Sequence, residues 1–216
     1  MNNLDMLHQI LGHHSRDEKW YGVVVGIVTN NKDPDNMHRV KVRFPWLNQD
    51  DDSNWARVAN PMAGNGRGVY FLPEVDDEVL VAFEHGSVEH PYVIGSLWNG
   101  KDKPPESNSD GENNNRSIKS RSGHILRLGD KSGSESIEII DKTGNNKIVI
   151  TSSDNKISIE ATGDIEVTSQ SGKITLSGVG IELKSQAGVD ISANAQINIE
   201  AKAQTNIKGV LVNING

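Results

Sequence analysis

The C-terminal half of the chain repeats one short pattern, in which two aliphatic residues are separated by a single other residue. Between residues 148 and 212 the pattern recurs at a mean spacing of eight residues, and one copy is partial, with Thr205 before Ile207. Because side chains at positions i and i+2 lie on the same face of a β-strand, each copy predicts a short strand with one apolar face. A strand this short cannot bury that face alone, so neighbouring strands must cover it.

Two architectures provide such neighbours. In a single-chain solenoid, three repeats would make one turn, whereas in a three-chain prism three copies would wind around a common axis. Turn-forming residues such as Gly163, Gly172 and Gly188 separate the repeats and suit the corners of either arrangement. We predict the three-chain prism, because it makes better use of minimal repeats and gives a closed symmetry. The predicted trimer core consists of Ile148, Ile150, Ile157, Ile159, Ile165, Val167, Ile174, Leu176, Ile181, Leu183, Val189, Ile191, Ile197, Ile199, Ile207, Val212 and Ile214.

The composition changes near residue 100. All ten aromatic residues lie before that point, and none of the seven prolines lies beyond Pro105. A conventional core uses large aromatic side chains and ordinary loops use proline, so the remaining segment is built on another plan. A disordered tail is the alternative, but such tails are poor in Ile and Val, whereas this segment carries them at regular intervals.

The N-terminal half predicts short strands separated by turn residues. Five or six strands within about 80 residues suit a small barrel such as an OB-fold. The predicted strands are residues 23–28, 40–44, 55–59, 69–72, 78–83 and 92–97. The sequence therefore predicts an all-β chain with four parts: an N-terminal segment (1–19), an OB-fold domain (20–100), a polar linker (101–117) and the repeat domain (118–216).

Enzymatic, metal and nucleic-acid functions find little support. The chain has no cysteine, which excludes thiol nucleophiles and Cys-ligated metals. Several short clusters of acidic or His residues are more typical of turns and solvated loops than of a catalytic or metal site. They are the acidic cluster 74–78, the Glu-His pairs at 84–85 and 89–90, His13-His14 and the acidic run 50–52. The region from Trp20 to Gly100 contains six Lys/Arg and eleven Asp/Glu, a net charge of −5 that is unsuited to a nucleic-acid groove. We predict no catalytic residue, cofactor or bound metal.

Two stretches of the sequence carry a resemblance to a known family. WARVANPMAGNGRGVYFLPEVDDEVLVAFEHGSVEHPYVIGSLWNG (55–100) and IKSRSGHILRLGDKSGSESIEI (118–139) resemble the spike proteins of contractile phage tails and the valine–glycine-repeat spikes of type VI secretion. The resemblance implies an OB-domain collar followed by an intertwined triple-stranded β-helix in a homotrimer. It also implies a structural, membrane-piercing role without enzymatic activity. A glycan-binding or depolymerase fibre built on a single-chain β-solenoid is the alternative function.

The differences from the larger members of that family predict the partners. Only about twenty residues precede the barrel, so the chain resembles a short form without the hub or lysozyme domain. Leu4, Leu7 and Leu11 have helical spacing and are candidate contacts with a separate hub protein. No His follows His124, so the iron-binding tip of some spikes is not expected. A PAAR-type tip protein is predicted to contact Val212, Asn213, Ile214, Asn215 and Gly216. The particle would assemble in the bacterial cytoplasm and be driven outward on contraction; the sequence shows neither a signal peptide nor a membrane span.

Overall fold

The N-terminal half of the protein is a closed β-barrel. The computed structural model describes residues 19–47 and 52–214, and among them it contains β-strands and one 3-10 turn (Glu84–Gly86) but no α-helix. The strands of this half are β1 (Val23–Asn30), β2 (Arg39–Arg43), β3 (Ala56–Val58), β4 (Ala63–Gly64), β5 (Arg67–Gly68), β6 (Glu78–Phe83) and β7 (Pro91–Ser96). The barrel closes in the order β1-β2-β3-β7-β6, which confirms the all-β class and the predicted OB-type barrel. No helix among the described residues is long and apolar enough to cross a membrane.

The barrel core is small and built mainly from valine. Alternate residues of each strand point inward; in β6, for example, Val79, Val81 and Phe83 are buried while their neighbours are half-exposed. The buried core residues are Val28, Val40, Val42, Phe44, Ala56, Val79, Val81, Phe83 and Val93. Gly26 of β1 faces this core as well. Because it lacks a side chain, the backbone of β1 can lie close to the side chains of Val42 and Phe44.

One predicted strand is wrong. Residues 69–72 form no strand, and the short hairpin of β4 and β5 precedes them instead. Tyr70 and Phe71 are exposed, and Leu72 packs against the core. The apolar run is therefore a surface segment beside the barrel and not one of its paired strands.

A buried carboxylate organises the connection between β1 and β2. Asp33 is 8% exposed and accepts hydrogen bonds from the backbone N–H groups of Asp35 (3.0 Å) and Met37 (2.9 Å). The guanidinium of Arg39 donates to the same carboxylate from Nε at 2.9 Å and from Nη2 at 2.6 Å. The loop is therefore fixed by charge-assisted hydrogen bonds.

The polar segment after the barrel is a hydrogen-bonded loop. The side-chain oxygen of Asn99 accepts from the backbone N–H groups of Lys101 (2.8 Å) and Asp102 (2.7 Å). Further along, Glu106 accepts two hydrogen bonds from Arg127, from Nε at 3.1 Å and from Nη2 at 3.0 Å. This loop is thus tied to the sheet that follows it.

A second sheet follows the loop. Its strands are β8 (Asn115–Lys119), β9 (Ile125–Gly129), β10 (Ser136–Ile140), β11 (Lys147–Thr151) and β12 (Lys156–Glu160). Each pairs antiparallel with the next, so the five strands form a simple meander of equal-length strands. The first of them begins inside the stretch predicted as linker.

The chain divides into two compact units between Thr162 and Gly163. The barrel and the five-stranded sheet belong to the first unit. In the second unit, residues 163–214 contain no strand and are exposed throughout. The boundary between the two units does not coincide with any of the predicted domain limits.

Candidate interaction surface

One face of the five-stranded sheet is lined by aliphatic side chains in two rows. In the first row Ile118 opposes Leu126, and in the second Leu128 opposes Ile137; both rows continue across the sheet because every strand pair keeps its register. We call these nine residues the apolar face. They are Ile118, Leu126, Ile139, Ile148 and Ile159 in the first row, and Leu128, Ile137, Ile150 and Ile157 in the second.

The apolar face is open to solvent in the single chain. Its members are 36–67% exposed, and together they leave roughly 800 Å² of apolar surface, about what one partner contributes to a standard protein–protein interface. Soluble monomers rarely expose so large a contiguous apolar patch. The second row begins with Arg116, which is ion-paired with Asp130 at one end of the face.

The opposite face of the sheet carries its charged side chains and also three half-buried aliphatic residues, Ile125, Ile140 and Val149; we call it the polar face. Arg127 lies between Glu106 and Glu138 and donates to Glu138 at 3.1 Å. Burial by itself raises the pKa of the Glu106 carboxyl, but the hydrogen bonds and charge of Arg127, together with hydrogen bonds from Ser117 and Asn115, lower that pKa overall. Lys147 and Glu160, which are register partners, form a further ion pair at 3.1 Å. The two faces therefore differ in chemistry. The polar face carries ion-paired side chains, whereas the apolar face would need a partner surface to shield its aliphatic residues from water.

The repeat segment shows the same incompleteness in another form. The predicted core residues from Ile165 to Ile214 are 48–88% exposed in the single chain. The side chains of Gln196 and Asn198 hydrogen-bond at 2.7 Å, and those of Gln204 and Asn206 at 2.9 Å, eight residues further on. Such contacts between positions i and i+2 mean that these polar side chains share one side of an extended backbone, with the residues between them, Ile197 and Thr205, on the other.

The predicted site residues fall into three groups. Ile148, Ile150, Ile157 and Ile159 lie together on the apolar face. The core residues from Ile165 onward lie in the second unit, as do the tip-contact residues Val212, Asn213 and Ile214. Outside the described residues lie Leu4, Leu7, Leu11, Asn215 and Gly216.

Sequence reasoning missed half of the apolar face as a site. Ile118, Leu126, Leu128, Ile137 and Ile139 were not among the predicted core residues, although the structure places them in the same two rows. The available signal was alternation within each strand, which these residues share with the later ones.

The polar clusters considered for chemistry lie in turns. The backbone N–H of Glu74 donates to Asp77 Oδ2 at 2.8 Å, and the carboxylate of Glu74 pairs with Arg121 at 2.9 Å. Glu84 accepts from the hydroxyl of Tyr92, and Glu89 accepts from the amide of Asn54. No group of three or more His, Asp or Glu side chains placed to hold a metal occurs within residues 19–47 and 52–214. The pairs His13-His14 and Asp50-Asp51 lie outside these ranges.

The barrel defines the class of the first domain. Residues 24–98, which form the barrel, match the family model of the type VI secretion system/phage-baseplate injector OB domain.

A part of the chain is similar to type VI secretion system spike proteins, which confirms the resemblance seen in its sequence. It is 36% identical over 75 residues to the spike protein VgrG3 of Vibrio cholerae, covering 33% of this chain and 7% of that protein. It is 34% identical over 112 residues to VgrG4b of Pseudomonas aeruginosa (48% of this chain, 14% of that protein). To VgrG5 of the same organism it is 33% identical over 126 residues (53% and 16%). The chain thus spans less than a fifth of the length of these relatives.

Proposed function

We propose that this protein is a structural spike component of a contractile injection machine, of a type VI secretion system or of a phage tail baseplate. The injector-type OB domain supports this proposal, as does the similarity to spike proteins. One structural observation carries it: the aliphatic residues of the apolar face and of the repeat segment are exposed in the single chain, so a monomer would leave both surfaces uncovered.

In the proposal three copies supply the missing cover. The aliphatic residues of the repeat segment, from Ile165 to Ile214, pool into a dry core, and their backbones intertwine as a triple-stranded β-helix. Burying these residues would stabilise the assembly by the hydrophobic effect, and closing the ladders around an axis would leave few free strand edges. A rigid, non-enzymatic element of this kind suits mechanical penetration of a target envelope.

The partners follow from the same proposal. Leu4, Leu7 and Leu11 contact a separate baseplate hub, and residues 212–216 contact a PAAR-type tip protein. The protein would assemble in the bacterial cytoplasm, become part of the particle, and touch the target membrane only on contraction.

The experiment is a measurement of mass in solution on matched variants. The unaltered chain should give three times 23.6 kDa, about 71 kDa. Ile191→Asp would place three charges in one core layer, each costing several kcal/mol when buried without a partner, and should abolish the trimer. Ser192→Asp puts the same charge on the next residue, on the other side of the strand, and should leave the trimer intact.

A monomeric mass for the unaltered chain would contradict the proposed assembly. Equal masses for the two variants would show that Ile191 does not face the core.

A further inference from the structure

Trp98, which follows β7, is the most exposed of the four tryptophans. It is 67% exposed, whereas Trp20 and Trp46 are 37% and 39% exposed and Trp55 is half-buried. Trp98 lines a cleft of about 250 Å³ together with the loop that follows the barrel and the first strand of the sheet, β8. A large apolar ring that stays in contact with water beside a cleft is a candidate contact for a ligand, because burying it would be favourable.

The cleft is held in shape by hydrogen bonds of the residues that line it. Glu106, which Arg127 fixes by two hydrogen bonds, also accepts one from the amide nitrogen of Asn115 at 3.4 Å. The side-chain oxygen of Asn108 accepts from the backbone N–H of Asn113 at 2.6 Å. Each side-chain amide offers both donors and an acceptor, so the oxygen of Asn115 and the NH2 group of Asn108 remain available to a ligand. A preformed cleft of this kind needs little further ordering when a ligand binds.

The lining of the cleft disfavours an anionic ligand. Among the residues that the structure describes, it carries the carboxylates of Glu106 and Asp110 but no Lys or Arg, and Glu106 is balanced by its ion pair with Arg127. A phosphate or carboxylate ligand would therefore meet like charge. Trp98 also lines a second, wider cleft, in which three basic and three acidic residues balance in charge. Neither cleft has the cationic lining that would attract an anion.

A neutral sugar ring matches this combination of groups. One face of such a ring presents C–H groups, which pack on an aromatic plane such as the indole of Trp98. Its hydroxyl groups lie around the edge and both donate and accept hydrogen bonds, which suits the available groups of Asn108 and Asn115. A purely apolar ligand would leave those amide groups buried without partners, which weakens binding. The cleft is smaller than the sites of about 300–1,000 Å³ that hold drug-sized ligands, so it suits a single ring.

The position of the cleft keeps it open when the apolar face is covered. Asn115 and Ser117 of β8 line the cleft, and they alternate along the strand with Arg116 and Ile118. Because Ile118 belongs to the apolar face, Asn115 and Ser117 lie on the polar face. A partner that covers the apolar face therefore does not cover these two residues.

We propose that the cleft beside Trp98 binds one neutral sugar unit of a glycan. The sugar stacks on the indole, and the side-chain amides of Asn108 and Asn115 bind its hydroxyl groups. This site adds recognition of a glycan to the structural role proposed above. It lies outside the repeat segment and does not depend on how many chains assemble.

Saturation-transfer NMR on the full chain tests the proposal, because this method detects weak ligands of a large protein. The probes are three neutral trisaccharides, maltotriose, cellotriose and chitotriose, and trigalacturonate is the anionic comparison. With each probe at about 10 mM, a concentration that reveals even millimolar affinities, we expect saturation of at least one neutral probe and a weaker effect on trigalacturonate. An absence of signal from all neutral probes, or an equal signal from trigalacturonate, would overturn the proposal.

Variants of two exposed aromatic residues locate the binding. Trp98→Ala should weaken the affinity about tenfold, as is typical when one aromatic stacking platform is removed, whereas Trp98→Phe keeps an aromatic plane and should retain most of the affinity. Tyr70→Ala is the matched control, because Tyr70 is 74% exposed but does not line this cleft, and it should leave the affinity unchanged. Equal affinities for Trp98→Ala and Tyr70→Ala would overturn the site. The mass in solution is recorded for each sample: a monomer that binds the sugar contradicts only the proposed function, whereas a trimer that binds no sugar contradicts only this site.

Discussion

The barrel predicts an asymmetry between two of its glycines, Gly26 in β1 and Gly95 in β7. A Cβ atom at position 26 would lie 2.2 Å from Val42 Cγ1 and 3.3 Å from Phe44 Cε1, and both side chains are buried. Ordinary contacts between carbon atoms are about 3.5–4.0 Å, so Val42 would have to move by more than about 1 Å. Nothing lies within 4 Å of a Cβ at position 95.

Overpacking of this kind costs about 1–3 kcal/mol. We therefore expect Gly26→Ala to lower the free energy of unfolding of the barrel by about 2 kcal/mol. Gly95→Ala should change it little, or raise it by up to about 1 kcal/mol because alanine restricts the unfolded chain. For a domain of this size, with a urea dependence of about 1 kcal/mol per M, the Gly26→Ala midpoint should fall by about 2 M.

Tryptophan fluorescence during urea unfolding of the full chain is a suitable assay. All four tryptophans (Trp20, Trp46, Trp55 and Trp98) lie in the N-terminal half, so the signal reports on the barrel even when the rest of the chain unfolds separately. Protein concentration is held fixed, because self-association would otherwise shift the midpoint. Equal midpoints for Gly26→Ala and Gly95→Ala would refute the close approach of β1 to Val42.

Two further predictions concern charged groups. Arg39 and the neighbouring backbone N–H groups hold the pKa of Asp33 well below its usual 3.8, so the stability that this carboxylate gives the barrel is complete above about pH 4 and is lost as the pH falls toward the lowered value. The urea concentration at the unfolding midpoint should therefore decrease when the pH is lowered below about 4, and the decrease should be smaller for Asp33→Asn than for the unaltered protein. Identical pH profiles for the two proteins would contradict this role of Asp33. Glu106→Gln should speed hydrogen exchange of the 101–114 amides about fivefold, as expected for a loss of about 1 kcal/mol. Glu112→Gln is the control, because the carboxylate of Glu112 accepts a hydrogen bond from Asn114 and not from Arg127, and it should leave the exchange rates unchanged. Equal exchange in both variants would show that the contact between Glu106 and Arg127 does not hold the loop.

The barrel could be predicted because its strands obey a simple rule. In β1, β2 and β6 the inward positions alternate with polar or half-exposed ones, and turn residues separate the strands. The rule failed at residues 69–72, where four apolar or aromatic residues in a row suggested a strand. Composition does not reveal whether such a run has partners on both sides, and here only Leu72 packs against the core.

The meander could not be separated from the repeat by its aliphatic pairs alone. Pairs beginning at Ile148 and Ile157 look like the later copies, so the sequence predicts them as members of one series. The step from Ile137 to Ile148 contains the missing information: at eleven residues it is longer than any step between the later copies, and it leaves a connection of six residues between two five-residue strands. Connections of that length let a strand turn back antiparallel beside its own neighbour, which favours a sheet within one chain.

This difference in spacing bears on how three chains could find one another. An intertwined segment such as the one proposed for residues 163–214 gains nothing until three chains meet in register, and each must lose conformational entropy first. A sheet that completes its own ladder presents a preformed apolar face, so three copies can associate with little further ordering. That association would raise the effective concentration of the three attached repeat segments and align them before they intertwine. On this argument, a substitution that charges the apolar face, such as Ile139→Asp, should slow trimer formation even where the repeat segment is unaltered.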